Sequence, residues 1–265
     1  MAPTRLGDGT SIGSIRQGDG TGIAEVRTGD GDVVFTAGPG NPPPDLANLG
    51  SHYAARLLTG VSDGQTVNTF TDQAGSFDAT LVGGSAVLDN DGLNGQPSVD
   101  YTSAGVHDTG FNQNTNDDRT IYMVVSTDLD GSNNFLYGAF DDSPANRSYI
   151  GDDGSNYFLG YGDTAHLGSG TGTPPTGNNI NSYVADSGTF EAYINDSTSA
   201  SSTFTYSGVG TMGFSDSIGA RNNLGDQDNE PSNSVFAEVL RYETAHDDTT
   251  RQQVVSFLNG IYSVF

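Results

Sequence analysis

The nine residues from Ser234 to Tyr242, SVFAEVLRY, constrain the fold of this chain most, because apolar side chains occur on both faces of the strand they would form. Val235, Ala237 and Val239 alternate with Phe236, Leu240 and Tyr242, and only Glu238 and Arg241 interrupt the apolar pattern. A strand with two apolar faces is stable only where other elements cover both of them. The pattern therefore predicts a central strand of a packed sheet.

A helix is predicted shortly after this strand. Asp247 or Asp248 offers an oxygen that can cap the first turn. Apolar residues then recur at the three- and four-residue spacing of one helical face, at Val254, Val255, Leu258, Ile261 and Tyr262. We expect a helix from about Asp248 to Asn259 that packs at the edge of the sheet.

The rest of the chain has the composition of a turn-rich β protein. It contains 37 glycines and 28 aspartates but only five glutamates and no lysine, which leaves little material for further long helices. The length of 265 residues fits one large β domain with a small additional element. Strands are predicted at 120–126, 134–140 and 157–161, with a hairpin of 181–186 and 189–196 that turns at Ser187-Gly188.

The chain end resembles the laminin-G-like branch of the concanavalin A-like lectin/glucanase superfamily, whose members often close with a strand reading roughly "aEvlvY", a turn and a short helix. The matching residues are Ala237, Glu238, Val239, Leu240, Tyr242, Ala245, Asp247, Asp248, Arg251, Phe257, Leu258 and Tyr262. Three further landmarks lie at 51–56, 67–75 and 94–99, with Tyr53 and Phe70 where tryptophan is usual. The resemblance implies an all-β, two-sheet antiparallel jelly-roll sandwich over residues 50–265, with one short C-terminal helix.

An eleven-residue repeat occupies residues 1–35. Arg5, Arg16 and Arg27 each stand two positions before a Gly-Asp-Gly, so each unit is predicted to be one short strand and one turn. Three such units bury too little apolar surface to fold alone, and we expect copies of the chain to associate through them. The apolar residues predicted to be shared between copies are Ile12, Ile15, Ile23, Val26, Val34 and Phe35. A trimer is expected by analogy with fibres, and a pentamer stays open.

Residues 36–49 are predicted to be a spacer between the repeats and the β domain. Pro42, Pro43 and Pro44 favour an extended polyproline II course, which is semi-rigid.

The formal charge of −24 comes from 33 acidic residues and nine arginines. Salt near 1 M shortens the Debye length to about 3 Å and would screen the resulting repulsion, so the charge favours a hypersaline environment. A chain without a basic patch is a poor ligand for nucleic acid or for an anionic membrane. We expect neither partner.

The sequence contains no cysteine, which excludes disulfides and thiolate chemistry. The N-terminal MAPTRLGDGT lacks an apolar core, and no segment approaches eighteen apolar residues. We expect neither a signal peptide nor membrane insertion, and hence assembly in the cytoplasm.

No catalytic residue is predicted from the sequence. Glucanases of the resembling superfamily carry an E-x-D-x-x-E strand, and none of the five glutamates here stands in that pattern. The four histidines have no metal-ligand spacing. We therefore expect that the chain is not an enzyme and requires no cofactor.

Two groups of residues could bind a ligand. Asp141, Asp142, Asp152 and Asp153 offer hard oxygen ligands for calcium or sodium, or else they hydrate an acidic surface. Tyr157, Phe158 and Tyr161 could stack on a sugar ring, or else they belong to the core.

These observations lead to one expected function and two alternatives. A repeat for attachment, a proline spacer and a jelly roll suit a structural and binding protein on the virion surface of a tailed virus that infects a halophilic archaeon. It could be a capsid decoration, turret or tail-fibre protein that contacts other virion proteins and a host glycan or glycoprotein. The alternatives are a carbohydrate-binding or adhesin module of a halophilic cell surface, and a glycoside hydrolase.

Overall fold

The structure of the chain, a computed structural model, describes most of the sequence. The described residues are 12–17, 23–28, 33–35, 42–75, 77–114, 118–127, 134–140, 147–152, 155–162, 164–167, 172–206, 211–220, 222–223 and 232–265.

Three strands in the repeat region form a small antiparallel sheet of their own. They are β1 (Ile12–Gln17), β2 (Ile23–Thr28) and β3 (Val33–Phe35), in the order β1-β2-β3. The side chains predicted to associate between copies, those of Ile12, Ile15, Ile23, Val26, Val34 and Phe35, lie outside what the structure describes. Their role in association stays a prediction.

The other fifteen strands form one sheet, which we call the main sheet. They are β4 (Leu49–Ala54), β5 (Thr69–Phe70), β6 (Ala79–Leu93), β7 (Gln96–Asn114), β8 (Arg119–Thr127), β9 (Asn134–Phe140), β10 (Arg147–Asp152), β11 (Tyr157–Gly162), β12 (Thr164–Leu167), β13 (Gly177–Asp186), β14 (Thr189–Ile194), β15 (Ser202–Thr205), β16 (Thr211–Ile218), β17 (Asn222–Asn223) and β18 (Ser234–Tyr242). A single α-helix, α1 (Asp248–Tyr262), follows β18. The prediction of an all-β chain with one C-terminal helix is confirmed.

The main sheet folds back over itself around one core. Its strand path runs from β12 at one end, through β9, β7, β18 and β8, to β15 at the other. Tyr161 on β11 nevertheless contacts Phe190 on β14, with 5.4 Å between ring centroids, and Tyr206 just after β15, at 4.6 Å. The two ends of the path therefore face each other across the interior.

The described strands do not confirm the two separate sheets of the predicted sandwich, because β7 joins both halves of the main sheet. Early in this 19-residue strand Val99 pairs with Phe236 of β18, and later His107 pairs with Ile218 of β16. One strand thus hydrogen-bonds to both halves, and the sheet is continuous.

Strand β18 has the predicted bounds, but a bulge changes which side chains share a face. On β8, Val125 pairs with Phe236 and the next residue, Val124, pairs with Glu238, so Ala237 is an extra residue. Phe236 and Val239 consequently lie in the interior core, whereas Ala237 lies on the opposite face with Leu240 and Tyr242. Both faces are buried, as the apolar pattern predicts.

Helix α1 covers the outer face of the main sheet rather than its edge, which corrects the predicted position. Its residues Val254, Val255, Leu258 and Tyr262 are fully buried against a patch formed by Tyr122, Val124, Ile180, Ala237, Leu240 and Tyr242. Each fully buried side chain of this size contributes about 1.5–3 kcal/mol, so the helix is a major part of the packing.

The ends of α1 follow ordinary capping rules. Oδ1 of Asp247 accepts a hydrogen bond from Thr250 N at 2.8 Å, and the helix continues to Tyr262, three residues beyond the predicted end. Ser263 ends it in the left-handed conformation, with φ of 49°. Within the described ranges, the structure contains no helix that is both long enough and apolar enough to cross a membrane.

The C-terminal part of the predicted spacer lies against the main sheet. The hydroxyl of Tyr242 donates to Pro44 O at 2.8 Å, and Glu243 N donates to Asn48 O at 2.8 Å. His246 Nε2 lies 3.3 Å from the Asp45 carboxylate. These contacts fix the chain where it approaches β4.

Candidate functional site

An open cleft of about 690 Å³ lies between residues 58–61 and the segment that leads into β5. We call it the threonine cleft, because its polar lining consists of Thr59, Gln65, Thr66, Asn68, Thr69 and Thr71. The remaining lining residues are Leu58, Gly60, Val61 and Gly64.

One wall of the threonine cleft is held on the edge of β6. Backbone hydrogen bonds run from Gly64 N to Leu88 O and from Val67 N to Ala86 O, both at 2.8 Å. A further bond runs from Leu81 N to the carbonyl of Asn68 at 2.9 Å. The wall is therefore an extension of the sheet, with little freedom to move.

The burial pattern of this wall turns its polar side chains toward solvent. Val67 and Phe70 are fully buried in the core, whereas Thr66, Asn68 and Thr69 are exposed. The core therefore determines which side chains line the cleft.

Most of the polar side chains in the threonine cleft have no hydrogen-bond partner in the described part of the chain. The side chains of Thr59, Thr66, Asn68, Thr69 and Thr71 make no hydrogen bond to any residue that the structure describes. Gln65 uses only its oxygen, which accepts from Ser62 N at 2.9 Å. Hydroxyl and amide groups that point into a cleft without partners are free to bind a ligand.

A loop organised by Asp72 continues from the end of the cleft. Its buried carboxylate accepts hydrogen bonds from the backbone N–H groups of His52 at 2.8 Å, Ala74 at 3.0 Å and Phe77 at 3.3 Å. The hydroxyl of Tyr53 donates to the carbonyl of Phe77 at 2.5 Å. Asp72 thus has a structural role, in a segment that the sequence marks as a family landmark.

A second candidate site is a group of charged residues inside the folded sheet. Asp216 on β16 is fully buried, and the hydroxyl of Tyr137 donates to its Oδ2 at 3.0 Å. Burial raises the pKa of Asp216 to about 7, although the charges of Arg241 and Arg119 and the Tyr137 hydrogen bond act in the opposite direction. A carboxyl group with such a pKa can hold or release a proton near neutral pH.

Arg241 links this buried carboxyl group to the surface. Its guanidinium carbon lies 3.9 Å from the centre of the Phe111 ring, and it forms an ion pair with the more exposed Glu243. The Phe111 ring in turn contacts Phe77 edge-on, with 5.0 Å between centroids. Phe77 is one of the exposed large hydrophobic residues.

A third buried charge, Glu238, joins β4, β18 and α1. Its carboxylate contacts His52 Nε2 at 2.7 Å, Arg56 Nε at 3.0 Å and the Tyr262 hydroxyl at 2.7 Å. Burial alone would raise the pKa of Glu238, but the His52 hydrogen bond and the Arg56 charge outweigh it and hold the pKa below its ordinary value. The group is fully used inside the protein, so we assign it to structure.

The predicted sugar-stacking residues lie mainly in the interior. Tyr157 and Tyr161 are 2% and 1% exposed and belong to the core, so neither ring is accessible to a sugar. Phe158, between them, is partly exposed. Of the two interpretations, membership of the core is therefore the one that holds for Tyr157 and Tyr161.

Of the predicted ion ligands, the structure describes Asp152 alone, so the ion site stays a prediction. Asp152 ends β10 with 1% exposure, whereas Asp141, Asp142 and Asp153 lie outside the described residues. Across the ranges that the structure describes, no three His, Asp or Glu side chains are grouped so that they could hold a metal ion.

The threonine cleft was not predicted from the sequence. A signal was present, since four polar residues surround buried Val67 and Phe70 in the segment TVNTFT. That segment reads equally well as a half-buried edge strand, and only the position of residues 58–61 opposite it makes a cleft.

No family model and no curated protein matches this chain. Solved structures do share its fold. The chain is similar to Domain 4 of AbnA, a GH43 extracellular arabinanase from Geobacillus stearothermophilus, in complex with arabinotriose. The TM-score is 0.56 at 17% identity, over 78% of this chain and 98% of that one.

Two further similar structures are parts of longer proteins. A mutant of Trypanosoma rangeli sialidase that displays trans-sialidase activity matches with a TM-score of 0.54 at 14% identity, over 83% of this chain and 35% of the sialidase. A mutant of a GH54 α-L-arabinofuranosidase matches with a TM-score of 0.56 at 14% identity, over 74% of this chain and 51% of the enzyme. This chain thus spans about a third of the sialidase and about half of the arabinofuranosidase.

These similarities establish the fold and correct one expectation. The chain was expected not to be an enzyme, yet the structures that share its fold are glycoside hydrolases or domains of them. The fold is therefore one that carbohydrate-active enzymes contain, and the prediction of a non-enzyme is wrong.

Proposed function

We propose that the main sheet binds carbohydrate and that the threonine cleft holds the sugar. The observation that carries this proposal is the set of hydroxyl and amide side chains that line the cleft without partners among the described residues. A sugar hydroxyl both donates and accepts a hydrogen bond, and so do the side chains of threonine and asparagine. The lining therefore offers both the donors and the acceptors that sugar hydroxyls can use.

The comparison with Domain 4 of AbnA supports this proposal. That domain has the same fold over nearly its whole length, and its structure contains arabinotriose. A fold that holds an oligosaccharide in one protein is a reasonable scaffold for a sugar site in another.

Calorimetric titration of the full chain with arabinotriose tests the proposal. We expect saturable binding that the double substitution Asn68→Ala/Thr69→Val weakens about tenfold, because each lost hydrogen bond contributes about 0.5–1.5 kcal/mol. The matched control is Thr203→Val/Thr205→Val, which removes two exposed hydroxyls from β15. If arabinotriose and a panel of other oligosaccharides give no heat, the proposal fails.

Glycoside hydrolysis is a second candidate function, and the state of Asp216 favours it. Its raised pKa suits a general acid, and Glu243, which forms an ion pair with the Arg241 whose charge acts on Asp216, could act as the base. In hydrolysis Asp216 would protonate the leaving oxygen while Glu243 takes a proton from the attacking water. Asp216 is fully buried, so the side chains that cover it would have to move to admit a substrate.

Release of 4-nitrophenol from 4-nitrophenyl glycosides tests this second candidate. We expect both Asp216→Asn and Glu243→Gln to abolish release, while Asp196→Asn, at an exposed turn, leaves it unchanged. Absence of release by the unmodified chain across arabinosides, galactosides and sialosides would reject hydrolysis without affecting the binding proposal.

Several finer assignments rest on the sequence. The jelly-roll assignment stays a proposal, because the main sheet is continuous through β7. The virion-surface role, the haloarchaeal host and the hypersaline environment stay predictions without support from the similar proteins. Self-association through residues 1–35, the virion and host partners, and a bound calcium or sodium ion are likewise proposals from sequence alone.

A further inference from the structure

We infer that the threonine cleft selects uncharged saccharides and rejects sugars that carry a carboxylate, such as uronic and sialic acids. This inference rests on the proposed function and names the ligand class of the same site.

The lining of the cleft carries no charge. The chain has 33 acidic residues and nine arginines, yet all ten lining residues are threonine, asparagine, glutamine, glycine, leucine or valine. An anionic sugar that entered the cleft would lose hydration without gaining a cationic partner, which is costly.

The charged residues next in sequence are already engaged. Arg56 stands two residues before Leu58, but its guanidinium donates to the buried Glu238 at 3.0 Å. Asp63, between the two walls, accepts from Asn90 N at 2.9 Å, and Asp72 is used by the loop that follows the cleft. No cation among these is free to turn toward a bound carboxylate.

The polar and apolar parts of the lining suit a neutral sugar. A carboxylate only accepts hydrogen bonds, so it can use the donors of the lining but not the oxygen of Asn68, to which a sugar hydroxyl can donate. Leu58 and Val61 are partly buried and pack against the core, so they offer an apolar surface to the C–H face of a sugar ring. Without an aromatic ring in the lining, we expect modest affinity.

Two origins of selectivity can be separated with salt. The net charge of −24 repels any anion, but about 1 M salt screens that repulsion beyond about 3 Å. Selectivity that arises in the cleft itself will survive at 1 M salt.

The test uses the full chain on an array of neutral arabino-, xylo- and galacto-oligosaccharides beside counterparts that carry glucuronic, galacturonic or sialic acid. We expect binding to neutral glycans only, at both 0.15 M and 1 M NaCl, and a loss of about tenfold in Asn68→Ala/Thr69→Val. Binding of acidic glycans that the same double substitution removes would overturn the inference while upholding carbohydrate binding. Binding to no glycan would instead reject the proposed function.

A gain-of-function variant gives a second readout. Thr69→Arg introduces a cation into the lining, and Thr203→Arg introduces the same charge on β15. We expect acidic glycans to bind Thr69→Arg and not Thr203→Arg. Equal behaviour of the two variants would mean that the cleft does not set charge selectivity.

Discussion

At the scale of single residues, Asp216 is the carboxyl group whose ionisation the protein opposes most clearly. It is fully buried beside the Tyr137 hydroxyl, and burial raises its pKa from 3.8 to about 7. The folded state therefore binds this proton more tightly than the unfolded state does. The stability that follows is fully present below about pH 4 and is lost as the pH rises through about 7.

Asp216→Asn should remove this pH dependence, because the amide resembles the protonated acid and cannot ionise. We expect the melting temperature of the variant, relative to the unmodified chain, to rise steadily between pH 4 and pH 8. Thermal unfolding followed by circular dichroism measures this difference, with Asp196→Asn as an exposed control. A difference that is constant with pH would contradict the prediction.

Individual sites were hard to predict from sequence because exposure depends on distant packing. Tyr157 and Tyr161 lie in a glycine-rich segment that is typical of surface loops, yet their rings enter the core. Asn68 and Thr69 look like ordinary edge-strand residues, and become part of a cleft only because residues 58–61 lie opposite. The residues next in sequence do not show which of these side chains are buried and which are exposed.

At the scale of elements, the bulge in β18 determines on which face of the main sheet the neighbouring side chains of the strand lie. Ala237 is the extra residue, so its removal would leave Phe236 inward and Glu238 outward in simple alternation. We expect deletion of Ala237 to cost about 1 kcal/mol, mainly through the lost packing of its buried methyl group in the cluster with α1, or about 2–4 °C in melting temperature.

The matched comparison for this deletion is the insertion of one alanine between Val239 and Leu240. It would turn Leu240 and Tyr242 into the interior and Arg241 toward α1, which reverses every contact at that end of the strand. We expect the insertion variant to fail to fold and the deletion variant to melt cooperatively. Similar melting of the two would contradict the register argument.

Elements with a strong local pattern were predictable, and the others were not. Strand β18 and helix α1 have dense apolar spacing, and both lie close to their predicted bounds. The β6–β7 hairpin was missed because β6 is glycine-rich and largely exposed. Its turn, Asn94-Gly95, has φ of 54° and 74°, and this dipeptide is a hairpin signal that sequence reasoning used only as a family landmark.

At the scale of the whole molecule, composition and pattern predicted an all-β chain but not its connectivity. Whether two layers are separate sheets depends on which distant strands pair, and here β7 pairs with both β18 and β16. Such pairing is decided by the complete set of strands, because no short segment encodes its partner.

The position of β18 also has a consequence for the order of folding. It comes last in sequence among the described strands, yet it lies between β4 and β8, and it is the strand with which β4 pairs. On the ribosome, Leu49–Ala54 must wait for its partner until Ser234–Tyr242 has emerged, and such long-range closure is slow. Until then the nascent sheet has open edges at its centre, and we expect the mutual repulsion of its many carboxylates to keep unfinished chains apart wherever salt does not screen it.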